Sequence, residues 1–165
     1  MIAFSYIEGN LSSLDQRYGK AKSNVEASYY SKLATLELCG WIEMSIDDCI
    51  LRCAYRIVRS REARKLIEER VKRTYGFEYE NHFRSLIMSL IGIHGFERVE
   101  KRIDQSVIAN FRSALGSLKT SRNSLAHTYT RGATASYDAP SLTLGRYSQV
   151  KAGISEYDRV LRNLY

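Results

Sequence analysis

Four side chains able to do chemistry sit close together in one stretch, Ser121 to Tyr129: Arg122, Asn123, His127 and Tyr129. An imidazole titrates near ~6.5, so it can take or give a proton at neutral pH. A guanidinium stays charged, and its planar fork meets two phosphate oxygens at once. A carboxamide can orient a substrate or the imidazole. The set suits cleavage of RNA by internal transfer. In that reaction the 2′-hydroxyl loses a proton, the phosphorane charge is stabilised and the 5′-oxygen gains a proton. One motif His per chain is few for both proton transfers. A homodimer, with two motifs facing a shared cleft, is the expected arrangement.

Written as R-N-x-x-A-H-x-Y, the stretch resembles the R-x4-6-H signature of HEPN domains, a superfamily of all-helical domains that includes many RNA-cleaving toxins. The Asn after the Arg and the small residue before the His are usual there. The final Tyr matches the R-x4-H-x-Y variant of toxins paired with a nucleotidyltransferase antitoxin. The resemblance implies a bundle of four to five helices and a homodimer. It implies a composite site, without a metal or other cofactor, that contains Arg122, Asn123 and His127. RNA is the substrate it implies, and an antitoxin, of nucleotidyltransferase or other type, is a further partner. In the variant the Tyr can receive AMP, which makes Tyr129 the candidate for regulatory modification. Some HEPN domains have non-enzymatic roles. A non-catalytic module for RNA or nucleotide binding, or for protein dimerisation, is therefore the alternative.

The helix that must position these groups runs from Gln105 to about Thr128, with Asp104 as its cap. At 100° per residue, Val107, Phe111, Leu115, Leu118 and Leu125 form one stripe, and Arg122 falls inside it. A guanidinium there requires a carboxylate, a phosphate or a subunit interface. Asn123 and His127 share an adjacent face. Carboxylates interrupt an earlier helix at Glu37, Glu43, Asp47 and Asp48. Glu37 and Glu43 are candidate supports for the site. A purely structural reading is also open: Arg122 in a salt bridge, His127 favoured at a helix C-terminus by the dipole, and Tyr129 as packing.

The remaining pattern predicts an all-α chain, an antiparallel HEPN-like bundle of four to five helices forming one domain over residues 1–165. Residues 1–10 read as an irregular lead-in, with a helix from near Leu14 that bends near Ser23. A long helix follows over Val25–Val58, then a charge-rich amphipathic one over Arg59–Arg73. Glu80–Ile93 and a short piece, Phe96–Ile103, precede the motif helix. Arg131–Gly145 reads as a loop, with Leu142–Leu144 able to extend, and Gln149–Leu164 as the last helix.

Composition agrees with a globular protein that meets polyanions. The net charge is +7, with basic residues densest between Arg52 and Arg73. The three cysteines, Cys39, Cys49 and Cys53, lie in one apolar helical stretch without His at ligand spacing. They read as reduced core thiols of a cytoplasmic protein, not a zinc site. His82 and His94 read as packing and helix-terminus residues. No signal peptide is visible at the N-terminus. The longest apolar run, Leu86–Ile93, is short of the ~20 residues that a membrane span needs, so no membrane association is expected.

Overall fold

A computed structural model of the protein describes residues 4–127 and 137–164, apart from the side chain of His127. Six α-helices are described: α1 Ser5–Gly19, α2 Asn24–Ile57, α3 Arg61–Lys72, α4 Ser85–Glu100, α5 Gln105–His127 and α6 Pro140–Leu164. A π-helical turn, Tyr79–Arg84, leads into α4. No strand occurs among the described residues, and no helix there is long and apolar enough to cross a membrane. The chain is all-α, with six helices where the sequence pattern predicted four to five.

Local chemistry explains the helix starts. Ser23 Oγ accepts from Glu26 N at 3.1 Å, and Ser60 Oγ accepts from Ala63 N at 3.3 Å, each satisfying a first-turn donor. Asp104 Oδ1 accepts from Ser106 N at 2.8 Å and Val107 N at 3.3 Å. The Ser106 hydroxyl and these amides hold the Asp104 carboxyl below its usual range.

Three boundaries differ from the sequence pattern. α1 begins at Ser5, inside the stretch read as an irregular lead-in. Its buried stripe is only Ile7, Leu11 and Leu14, too thin to stand out beside polar neighbours and Gly9. α6 begins at Pro140, where a loop to Gly145 was predicted. Proline fits the first helical position because its missing N–H has no intrahelical acceptor there, and the Ala139 carbonyl accepts from Leu142 N at 2.9 Å. Leu142–Leu144 is therefore helical, not extended. The break expected around Gly92 is present, since Gly92 is non-helical with a φ of 73° that favours glycine, and the helical piece beyond it ends at Glu100, short of Ile103.

α1, α2, α5 and α6 share the core. α1 and α2 run antiparallel: Phe4 meets Trp41, while Leu14 and Arg17 lie by Leu33. α5 and α6 also run antiparallel, with Leu125 near Tyr137 and Phe111 against Gly153 and Tyr157. α2 and α6 run the same way, from Trp41–Tyr147 to Arg52–Asp158. Tyr79, Phe83, Phe111 and Tyr157 interlock edge to face at the centre, and the Tyr79 and Tyr157 hydroxyls bond to each other. Burying those hydroxyls as a pair removes the desolvation cost of leaving either unmet.

The three cysteines are buried and unpaired in this core. Burial pushes the Cys39 and Cys49 thiols up to about 12, which leaves them without thiolate at neutral pH. His82 Nδ1 accepts from Glu78 N at 3.2 Å, and its ring fills the space beside Gly76. His94 is exposed, 3.8 Å from Glu97.

Candidate functional site

α5 buries Ile108, Phe111, Ala114, Leu115, Leu118 and Leu125. Arg122 lies on the same stripe, between Leu118 and Leu125, but at the margin of the core. Its Nη2 stands 3.1 Å from Glu43 Oε1 of α2, and its guanidinium lies over the Phe77 ring at 5.9 Å from the centroid. Glu43 Oε1 is itself shielded from solvent and has no aligned hydrogen bond. Among the described residues the contact is thus one of charge without a directional bond.

The same flank of α5 meets carboxylates from the 78–80 segment. Lys119 pairs with Glu78, and Arg112 pairs with Glu80 while its guanidinium stacks on Tyr79. These contacts tie Phe77 and the segment after it to α5, and so set the floor beneath Arg122. Hydrogen bonds from Lys119 and, to a lesser extent, Asn81 hold the Glu78 carboxyl below its usual range.

Of the sequence-derived site residues, Arg122 and Glu43 are brought together. Asn123 is the next residue on α5 and is exposed. His127 is the last residue of α5, and its side chain is not described. Tyr129 lies outside the described residues. Glu37 is exposed and lines a groove of about 580 Å³ between α1 and α2. Glu43 and Asp47 line the same groove, so Glu43 stands between it and Arg122. Asp47 is half-buried one turn beyond Glu43. Burial, helped by the charge of Glu43, pushes its carboxyl up to about 6.

Sequence reasoning passed over Phe77 and Asp47. Phe77 lay in a stretch read as a connection, although an apolar aromatic directly after Gly76 is a usable sign of a chain turning inward. Asp47 was named only as one of four carboxylates that interrupt this helix, and only the packing of α1 against α2 distinguishes it. Among the described residues no group of three or more His, Cys, Asp or Glu side chains is placed to hold a metal ion.

The arrangement can do three things. A half-exposed guanidinium, carried on a core helix and backed by an aromatic ring, can receive a phosphate. An exposed amide stands next to it. The helix places an imidazole-bearing residue five positions further on, at the helix end. Comparison with protein-family models, with curated proteins and with solved structures finds no match for this chain.

Proposed function

We propose that the protein is a metal-independent endoribonuclease of the HEPN type, the toxin of a toxin–antitoxin or phage-defence system, acting in the cytoplasm as a homodimer. One observation carries this reading: Arg122 sits in an apolar stripe yet keeps its guanidinium half-exposed, on the helix that ends at His127. A cation placed at the edge of a core suits a phosphate that arrives from outside.

In the proposed reaction His127 of one chain takes the proton of the ribose 2′-hydroxyl. The 2′-oxygen attacks phosphorus, forming the O2′–P bond as the P–O5′ bond breaks. The partner's His127 gives a proton to the leaving 5′-oxygen. Arg122 holds the non-bridging oxygens as their charge rises, and Asn123 orients the substrate or the imidazole. Glu43 holds Arg122 in place. The products are a 2′,3′-cyclic phosphate and a 5′-hydroxyl.

A second reading, a non-catalytic HEPN-like binding or dimerisation module, draws on the Arg122–Glu43 contact, since an ion pair between two helices can serve as a brace. RNA incubated with the protein in EDTA separates the two. Cleavage that leaves 2′,3′-cyclic phosphate ends, or their hydrolysed form, with matched DNA intact, supports the nuclease. Binding without turnover supports the module.

A further inference from the structure

α3 and its flanks carry charge that ion pairs with the rest of the fold do not neutralise. Arg59–Arg73 holds seven basic and three acidic residues, a net +4 of the chain's +7. Several cations elsewhere are met by carboxylates, as at Arg52, Arg84, Arg146 and Lys151. Among the described residues, no ion pair involves a cation between Arg59 and Arg73. Arg64 is committed to the fold, its Nε and Nη2 donating to the Val58 and Tyr55 carbonyls at 2.7 and 3.1 Å. The others point to solvent. Arg61, Lys65 and Lys72 fall on one line of the helix, about 16 Å long, with Glu68, whose carboxylate accepts from the Tyr55 hydroxyl, between the last two. Three cations to one carboxylate leave that line net positive, and a polyanion meets the excess.

A second feature adjoins the row. Tyr75, two residues past Arg73, is 82 % exposed. Gly76 then turns the chain with φ 105°, and Phe77 is buried under Arg122. Tyr75 thus follows the cations of α3 by two residues, and Phe77, two residues further on, lies beneath the Arg122 guanidinium.

We infer that the exposed face of α3, with Tyr75, is a docking track for single-stranded RNA leading to Arg122, resting on the ribonuclease reading above and separate from the groups that cut. Cations meet the phosphates and the tyrosine stacks on an unpaired base, the combination by which single strands are held without sequence preference. A bilayer surface fits less well, because the exposed face offers one large apolar side chain, Leu66, and not a broad apolar side.

The test is anisotropy with a labelled 2′-O-methyl RNA of about 15 nucleotides, a length that spans both features. Removing three charges together (Arg61→Gln, Lys65→Gln, Lys72→Gln) should weaken binding at least about tenfold and reduce the slope of log affinity against log salt by about 2. Tyr75→Ala should weaken it about tenfold, and Tyr75→Phe should not. With cleavable substrates, the triple variant should cut a dinucleotide at the wild-type rate and show a raised KM for long RNA. If both the triple variant and Tyr75→Ala bind with wild-type affinity and salt slope, the track is wrong even where cleavage stands. If binding falls as stated but no form cuts RNA, the track stands and the nuclease reading falls. Binding to phosphatidylserine vesicles or to an acidic protein in place of RNA would also overturn it.

Discussion

Arg122 of α5 and Glu43 of α2 stand 3.1 Å apart, with side chains 40 % and 33 % exposed. An ion pair this open contributes about 1 kcal/mol at most. As a brace it is therefore weak, and on the proposed ribonuclease reading its consequence is to aim the guanidinium. Glu43→Gln should shift the thermal midpoint by only a few degrees and lower RNA cleavage about tenfold, because the fork loses its anchor while keeping its charge. Calorimetry beside a cleavage assay checks this. A variant that loses stability but cuts at the wild-type rate would make Glu43 a brace only.

Asp47 gives a pH signature. Burial and Glu43 push its carboxyl from the ordinary 3.8 up to about 6. An acid whose folded value is raised favours the fold while protonated. The penalty for ionising it is absent below pH 3.8, grows as pH rises and is complete above about 6. Asp47→Asn should therefore stabilise the protein at pH 7.5 by about 1 kcal/mol, the full shift being reduced by partial exposure. At low pH, below the ordinary Asp value, the gain should vanish. Denaturant midpoints at the two pH values measure it, and equal gains at both would contradict the assignment.

Gly153 marks the closest approach of α5 and α6. A Cβ built there would stand 2.3 Å from Phe111 Cγ, inside the central aromatic cluster. Gly153→Ala should cost about 2 kcal/mol, since overpacking outweighs the gain in helix propensity. Thermal unfolding reads this directly. An unchanged or raised midpoint would show that the aromatic cluster yields easily.

Tyr129 is the expected point of regulation. A nucleotide attached there, seven residues after Arg122 in the sequence, would add an anion that competes with substrate phosphate. Incubation with a co-encoded nucleotidyltransferase and ATP should add AMP to Tyr129, mapped by peptide mass. Modification elsewhere, or normal neutralisation of Tyr129→Phe, would remove it from that role.

The all-α class was legible because α2 and α5 carry dense apolar stripes and because Asp104 announces α5. The α1 start was not, since three buried residues make a faint pattern, and neither was the α6 start, since Pro140 reads equally as a break or as a first turn. At the site, the helical wheel put Arg122 among apolar neighbours but could not choose between Glu37 and Glu43. A wheel gives direction around one helix and says nothing of which turn of the neighbouring helix lies opposite. Phe77 carried only the local sign of an aromatic after Gly76, because the contacts that accompany its burial, Lys119–Glu78 and Arg112–Glu80, join segments far apart in the sequence.

The central claim is that Arg122 and His127 act together on RNA. The most direct measurement is single-turnover cleavage of one RNA in EDTA by the wild type, His127→Ala and Arg122→Ala, with circular dichroism confirming that each is folded. The wild type should cleave, and both variants should lose at least about 100-fold, with the thermal midpoint of His127→Ala nearly unchanged. Cleavage by both folded variants at the wild-type rate would contradict the claim.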